Sequence, residues 1–454
     1  MEKNQGKDLS QGSVGKLLFS LAVPAIISQL VNLAYNMVDR IYIGQGVGSL
    51  ALTGVGVCLP LIMLISASAS LAAMGGAPQA SIYMGKGDRD HAEKILGNCT
   101  MLLIVVAVVI TVLYLIFGRS LLMFFGASDN TIGYAWDYMS IYCLGTIFVQ
   151  MTLGLNAFIS AQGFARTSML TVTIGAVTNI VLDPVFIFAF KMGVKGAALA
   201  TIISQCVSMI WTIVFLTGNK TNLRIRVSNM KPDPAILGPC VGLGLAPFIM
   251  QSTESILSIC FNSSLLKYGG DVAVGAMTVM STLSQFTMLP LQGLAQGAQP
   301  IISFNYGAGK MERVQKAFRL LLISSLTYSL LFWAALQLFP QVFFGIFTQD
   351  AELIEFGSWA IHIYLAVYGL MGIQLACQQS FVALGNMKCS VFVALLRKVI
   401  LLIPLIYILP AFMADKTTAV FMAEPVADII SITTCGSLFA IEFGKLKKQF
   451  ADTK

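Results

Sequence analysis

Apolar runs long enough to cross a bilayer, about 20 residues each, recur from one end of the chain to the other and are separated by short polar joints. They predict twelve transmembrane helices, near residues 15–43, 50–84, 91–117, 131–161, 166–190, 196–217, 235–264, 271–305, 312–336, 352–384, 388–410 and 417–443. The expected fold class is an all-α polytopic membrane protein. The opening MEKNQGKDLSQGSVGK is polar, and the apolar run after it exceeds a signal-peptide core, so the first span is expected to stay. Composition points the same way: 57% of residues are hydrophobic and 11% charged, against roughly a quarter charged in soluble domains. That excludes a soluble enzyme.

The basic residues set the expected orientation. With both termini in the cytoplasm, 20 of the 28 Lys and Arg fall on inner segments, among them Lys3, Lys7, Lys16, Lys86, Arg89, Arg224, Arg226, Lys310 and Arg313. Outer segments hold only Arg40, Arg119, Lys191, Lys195, Lys267 and Lys416. The positive-inside rule then places the chain in the cell's inner (plasma) membrane with both ends cytoplasmic. The net charge of +7 reflects this bias and contact with anionic lipid, so no nucleic-acid partner is expected. The nine cysteines are scattered along apolar helices without CxxC spacing and read as small buried hydrophobes.

Laying residue i over residue i+222 brings unusual residues into register. Gln29 meets Gln251, Gly75 meets Gly297 and Pro78 meets Pro300, while Gly85 and Gly87 meet Gly307 and Gly309. Tyr142 meets Tyr364 and Gly163 meets Gly385, with one residue of slip between Pro24 and Pro247. Aligned Gly, Pro and Gln over such a length indicate an internal duplication. Residues 1–217 form the expected N-lobe, 218–234 a cytoplasmic linker, and 235–454 a C-lobe with a basic tail. Six spans per half is an even number, so the halves insert in the same direction and form two six-helix bundles related by a pseudo-two-fold axis along the membrane normal. A cleft between such bundles can be exposed to alternate sides by rocking. There is no GxxxxGK[ST] loop, and GAGK at 307–310 lacks the spacing. HExxH and GxSxG are also absent. No enzyme and no bound cofactor are expected, and an ion gradient is the expected energy source.

Ionisable residues inside a span mark ion paths by default. At 1.5 Å per residue, Asp39 lies about 7 Å inside the outer end of the first span. Asp183 lies about 12 Å before Lys191 and Thr201 about 9 Å after Lys195. Asn179 and Asp183, four apart, share a helix face. Carboxylates with amide and hydroxyl oxygens suit a small hard cation; carboxylates in an apolar bundle can also carry protons. The coupling ion is therefore H+ or Na+. Asp39 beside Arg40 could instead be a surface pair, and Asp183 before Pro184 could satisfy backbone groups freed at a kink.

Polar stripes mark the expected substrate cleft. Gln29, Asn32 and Asn36 lead to Asp39 in the first span; Gln251, Glu254, Ser258 and Asn262 repeat the pattern in the seventh; Gln285, Gln292, Gln296 and Gln299 form another in the eighth. Such faces also serve as inter-helix hydrogen bonds. Glu254 falls near the midplane, a second ion or substrate carboxylate. Arg397 and Lys398 are read as pairing with Glu424 and Asp428, more as structure than as a relay. Asp137 either joins a lobe's network or caps its helix. Pro24 removes a helix hydrogen bond and gives the first span an expected hinge.

The repeated pair GGAPQASIYMGKGDRDHAEK and GAQPIISFNYGAGKMERVQK, with NLAYNMVDRIYIG and TNIVLDPVFIF, resembles the multidrug and toxic compound extrusion (MATE) family over essentially the whole chain. The resemblance implies a twelve-helix antiporter, a monomer here, that exchanges Na+ or H+ for amphipathic, often cationic organic compounds. In one branch of that family, residues matching Asp39, Asn179, Asp183 and Thr201 form the N-lobe ion site, and the resemblance implies that role here. The other branch uses acids in the seventh and tenth spans, but the tenth span of this chain offers His362 and Gln374 and no mid-span Asp. A lipid-linked precursor flippase of the related superfamily, which would need a basic groove, and a non-concentrative channel are the alternatives.

Overall fold

The computed structural model describes residues 8–452; Lys3, Lys7 and the last residues of the tail lie outside that range. Its regular structure, among the described residues, is helical. The first half comprises α1 (Val14–Gly46), α2 (Ser49–Gly85), α3 (Arg89–Phe124), α4 (Ile132–Leu144), α5 (Thr146–Ala161), α6 (Ala165–Pro184) and α7 (Val194–Thr217). After the connecting segment come α8 (Pro234–Gly307), α9 (Met311–Leu338), α10 (Pro340–Phe347), α11 (Ala351–Tyr364), α12 (Met371–Ala383), α13 (Met387–Leu395), α14 (Ile403–Phe412) and α15 (Lys416–Asp452).

Among the described residues nine helical stretches are long and apolar enough to span, or eleven when two bent pairs count as one span each. The 74-residue α8 is itself two spans, because Gly270 interrupts it at φ 67° and ψ −164°. That gives the expected twelve. Only a residue without a Cβ enters that backbone region at little cost. The duplication supplies the same device in the first half, where Gly48, at the 222-residue offset, has φ 114° between α1 and α2.

Three local features differ from straight spans. The fourth span bends by 56° between α4 and α5, and the tenth by 49° between α11 and α12. Both breaks lie inside largely apolar sequence, where hydropathy gives no sign of them, although Gly145 stands at the first. The short amphipathic α10 stands between spans and crosses nothing. π-Helical turns at Val185–Ala189 and Leu396–Leu402 interrupt the fifth and eleventh spans. Through Pro24, by contrast, α1 runs unbroken, with the Ser28 hydroxyl donating to the Pro24 carbonyl at 2.9 Å.

The two halves repeat their internal bonds. Ser81 donates to the Ala161 carbonyl and Ser303, at the matching position, to that of Ala383. Likewise Asn156 donates to the carbonyl of Ser168 and Gln378 to that of Ser390. The halves meet at the end that carries the basic loops, through glycines. A Cβ on Gly85 would lie 2.0 Å from the Phe304 carbonyl oxygen, and one on Gly307 would lie 1.9 Å from that of Ile82. These two contacts exchange under the 222-residue offset, so a pseudo-two-fold axis passes between them. Gly75 against Cys240 and Gly244, and Gly297 against Ala22, extend the seam.

At this same end each lobe lends its first helix to the other. Leu9, Val14, Leu17, Leu18 and Leu21 pack in a cluster with Ile301, Val314 and Phe381 of the second half. Ile236 and Cys240 of α8 pack with Leu96, Cys99 and Phe158 of the first. Polar straps reinforce the exchange. Arg313 donates to the carbonyls of Leu9, Gln11 and Gly12, and Asn305 to that of Leu9 at 2.9 Å. On the other side Gln162 accepts from Thr221, Asn222 and Leu223, and the buried Glu93 pairs with Arg226 at 3.0 Å. Asp8, hydrogen-bonded by Ser10 and close to Lys310 and Arg313, is held below the usual carboxylate range.

Candidate functional site

Towards the opposite end of the first half, α1, α6 and α7 bring together the oxygens that the sequence placed at one depth. One helical turn of α6 aligns Asn179 with Asp183. The Asn179 amide lies 3.4 Å from both the Asp183 carboxylate and the Thr201 hydroxyl. Asp183 is fully buried, and Asn179 and Thr201 nearly so. From α1 the Asp39 carboxyl reaches Asp183 within hydrogen-bonding range. Asp39 is half-buried. Pro184 and the π-helical turn that follows it widen α6 directly beyond Asp183, a distortion frequent at functional positions.

Three buried oxygens here have no protein partner: Asp39 Oδ1, Asn179 Oδ1 and Asp183 Oδ2. Buried polar atoms are overwhelmingly paired, and all three are acceptors. Two carboxylates side by side in low dielectric repel strongly unless a proton or cation sits between them. Among the described residues no buried base stands beside them; Arg40, next to Asp39, is exposed. Among the described residues Asp39 forms no ion pair with Arg40, so the surface-pair reading has no contact behind it. Nor, among the described residues, does Asp183 bond a freed backbone group; its partners are the side chains of Asn179 and Asp39. Among the described residues no group of three or more His, Cys, Asp or Glu could hold a metal. Two carboxylates with an amide and a hydroxyl fit a monovalent cation or a proton. Tyr35 on α1 and Tyr138 on α4 complete the wall, the latter reaching the Thr201 hydroxyl.

The polar stripes divide between two uses. Asn32 and Asn36 on α1 and Glu254, Gln285 and Gln292 on α8 are exposed, although hydropathy places them inside spans. Gln29 and Gln296 are half-buried below them. Gln251, in contrast, spans the seam and donates to the Ser70 hydroxyl at 2.9 Å. The cleft is therefore closed at the basic end and lined with exposed amides and one carboxylate above it.

In the second half Arg397 donates to both Asp428, at 2.7 Å, and Glu424, at 2.8 Å. This is the expected pairing. Lys398 departs from it: its ammonium binds Glu254 and the Met250 carbonyl instead. The reason lies in helix geometry, because adjacent residues on α13 and its π-helical continuation point about 100° apart. Arg397 therefore faces α15, and Lys398 faces α8. Asp137 neither caps α4 nor joins this network; it pairs with Lys195 at 3.4 Å near the surface. His362 contacts Gln337 at 2.5 Å, and Gln374 accepts from Ser431, so neither replaces the missing acid of the tenth span.

A family model described as MatE matches residues 24–185 and, a second time, residues 247–408. The chain belongs to the MatE family. The two matched stretches open on Pro24 and Pro247, which places the duplication, slip included, within the family pattern. Multidrug export protein MepA of Staphylococcus haemolyticus (strain JCSC1435) is 23% identical over 399 residues, 88% of either chain. The protein of that name from Staphylococcus aureus (strain NCTC 8325 / PS 47) is 24% identical over 416 residues, 90% of either chain. Among solved structures, the MATE multidrug transporter DinF-BH in complex with R6G matches this MatE protein with a TM-score of 0.88 and 33% identity, covering 96% of this chain and 97% of that one. An outward-facing MATE family transporter of the MOP superfamily matches with a TM-score of 0.89 at 23% identity, over 98% and 99%.

Sequence reasoning missed Tyr35 and Tyr138 at the candidate cation site and the Lys398–Glu254 pair. Tyr35 stands four residues before Asp39, and that helical spacing was the available signal. The link between residues 254 and 398 joins different spans and leaves no local pattern.

Proposed function

We propose that this MatE protein is a secondary active exporter, which exchanges H+ or Na+ for amphipathic, often cationic organic compounds by alternating access. The observation that carries the reading is the set of unpartnered acceptor oxygens on Asp39, Asn179 and Asp183 beside Thr201. A site of two carboxylates with no ion-paired base takes up a cation or proton when it faces the side where that ion is concentrated, and releases it to the dilute side after the lobes rock. The relatives named for multidrug export support the cargo class. With the basic loops in the cytoplasm of the inner membrane, the present closure is cytoplasmic and the exposed stripes face outward. The flippase reading needs a free basic groove, and both buried bases here are matched to carboxylates. Purified protein in ATP-free liposomes is expected to move ethidium against its gradient when a Na+ or pH gradient alone is imposed. Transport only on adding ATP and a partner ATPase would overturn the proposal.

A further inference from the structure

In the second lobe a buried lysine holds the exposed carboxylate of the cleft. The Lys398 side chain is 4% exposed, whereas that of Glu254 is 61% exposed. A glutamate so exposed within a span can face only an open, hydrated cleft at tolerable cost. Its negative charge is nevertheless already answered, by an ammonium delivered from inside the lobe.

The surrounding charges show what else that ammonium can do. Arg397 sits between Glu424 and Asp428. The network therefore holds three carboxylates (Glu254, Glu424 and Asp428) and two bases (Arg397 and Lys398). One carboxylate equivalent is in excess on the buried side. Glu424 is bonded to the adjacent base, Arg397, through one oxygen, Oε1, at 2.8 Å. Lys398 thus has one carboxylate on its cleft side, Glu254, and a second, Glu424, held beside it on the neighbouring Arg397 towards the core. The π-helical turn Leu396–Leu402, which carries both bases, offers local slack for the swing. Tyr364 and Tyr368 also line this network, and the Tyr368 hydroxyl is occupied by the Ser284 carbonyl at 3.0 Å.

We infer that Lys398 is a tethered internal cation that occupies Glu254 in the empty cleft, and that a cationic substrate binds by displacing it onto Glu424. The exchange conserves charge: one ammonium leaves Glu254 as one external cation arrives, and no naked carboxylate is exposed at any stage. It gives selectivity for cations at the cost of competition from the lysine, and neutral compounds do not enter it. This rests on the reading of the cleft as the site of cationic cargo.

Equilibrium binding to the purified full chain in detergent tests it without any transport step, with tetraphenylphosphonium as the monocation and chloramphenicol as the neutral compound. Lys398→Met removes the competitor, so tetraphenylphosphonium affinity should rise about tenfold, the effect of roughly 1.4 kcal/mol, while chloramphenicol stays within about twofold. Lys398→Arg keeps the charge and grips the carboxylate through a planar fork, so it should bind tetraphenylphosphonium more weakly than the wild type. Glu254→Gln should weaken the monocation, and Lys398→Met should give no gain in that background. Lys398→Arg keeps the buried charge and serves if Lys398→Met fails to fold. Equal loss of both compounds in the Lys398 variants, or a Lys398→Arg protein that binds the monocation as well as the wild type, would overturn the exchange while Glu254→Gln still reported a cation site. Indifference of tetraphenylphosphonium to Glu254→Gln would overturn both the exchange and the cargo reading beneath it.

Discussion

Four side chains define the candidate cation site, and they are not equivalent. Asp39 and Asp183 supply charge; Asn179 and Thr201 supply neutral oxygen. The Thr201 hydroxyl spends its proton on the Ala197 carbonyl at 3.0 Å, so towards Asn179 it acts as an acceptor. If Na+ is the coupling ion, Asn179→Ala or Thr201→Ala deletes one ligand to a charged centre, worth about 1.5 kcal/mol. The Na+ concentration for half-maximal ethidium transport should then rise about tenfold, with little change in the maximal rate. Proton coupling predicts nearly unaltered pH dependence in both variants. The ligand types and their shared depth were legible in the sequence, because a mid-span Asp is rare enough to stand out and i, i+4 spacing needs no tertiary information. The contact between Asp39 and Asp183 was not, since it depends on how α1 leans on α6.

At the scale of elements, the seam at the basic end depends on backbones that touch. Alanine is favoured over glycine in a helix by about 1 kcal/mol, so Gly85→Ala or Gly307→Ala would ordinarily stabilise. Here the new Cβ would meet a carbonyl oxygen at 2.0 or 1.9 Å, a clash that only separation of the lobes relieves. Both variants should therefore favour opening at the basic end. Cys240 is 1% exposed inside this seam, and its maleimide labelling, followed by peptide mass spectrometry, should become several-fold faster. An unchanged labelling rate would mean that the glycines do not set the closed state. The recurrence of these glycines was visible as a 222-residue repeat, but their purpose was not: a glycine that admits a facing helix and one that turns the chain look alike in sequence. The bends between α4 and α5, at Gly145, and between α11 and α12 were equally hidden, for hydropathy does not mark a break within an apolar run.

Across the whole molecule, duplication gave two lobes with one architecture and two different electrostatic solutions. Among the described residues the first keeps two carboxylates with no ion-paired base; the second fills its interior with an almost balanced network around Arg397 and Lys398. Crossed straps at the basic end tie each lobe's first helix to its neighbour, so the lobes close there while the site near Asp39 faces the other end. Twelve spans, their grouping in sixes and the family were readable from pattern alone, because hydropathy and repeats are properties of the chain rather than of its packing. The division of labour between the lobes became visible only with side chains in place. On the reading proposed above the first lobe is the coupling site, and the charge of its aspartates is the decisive variable. Asp→Asn keeps shape and hydrogen bonding while removing ionisation, so the most direct measurement is ethidium efflux from liposomes holding Asp39→Asn or Asp183→Asn, under separately imposed Na+ and pH gradients. The account predicts folded protein that binds ethidium and couples its efflux to neither gradient; wild-type gradient-driven efflux in both variants would contradict it and shift coupling to the network around Glu254.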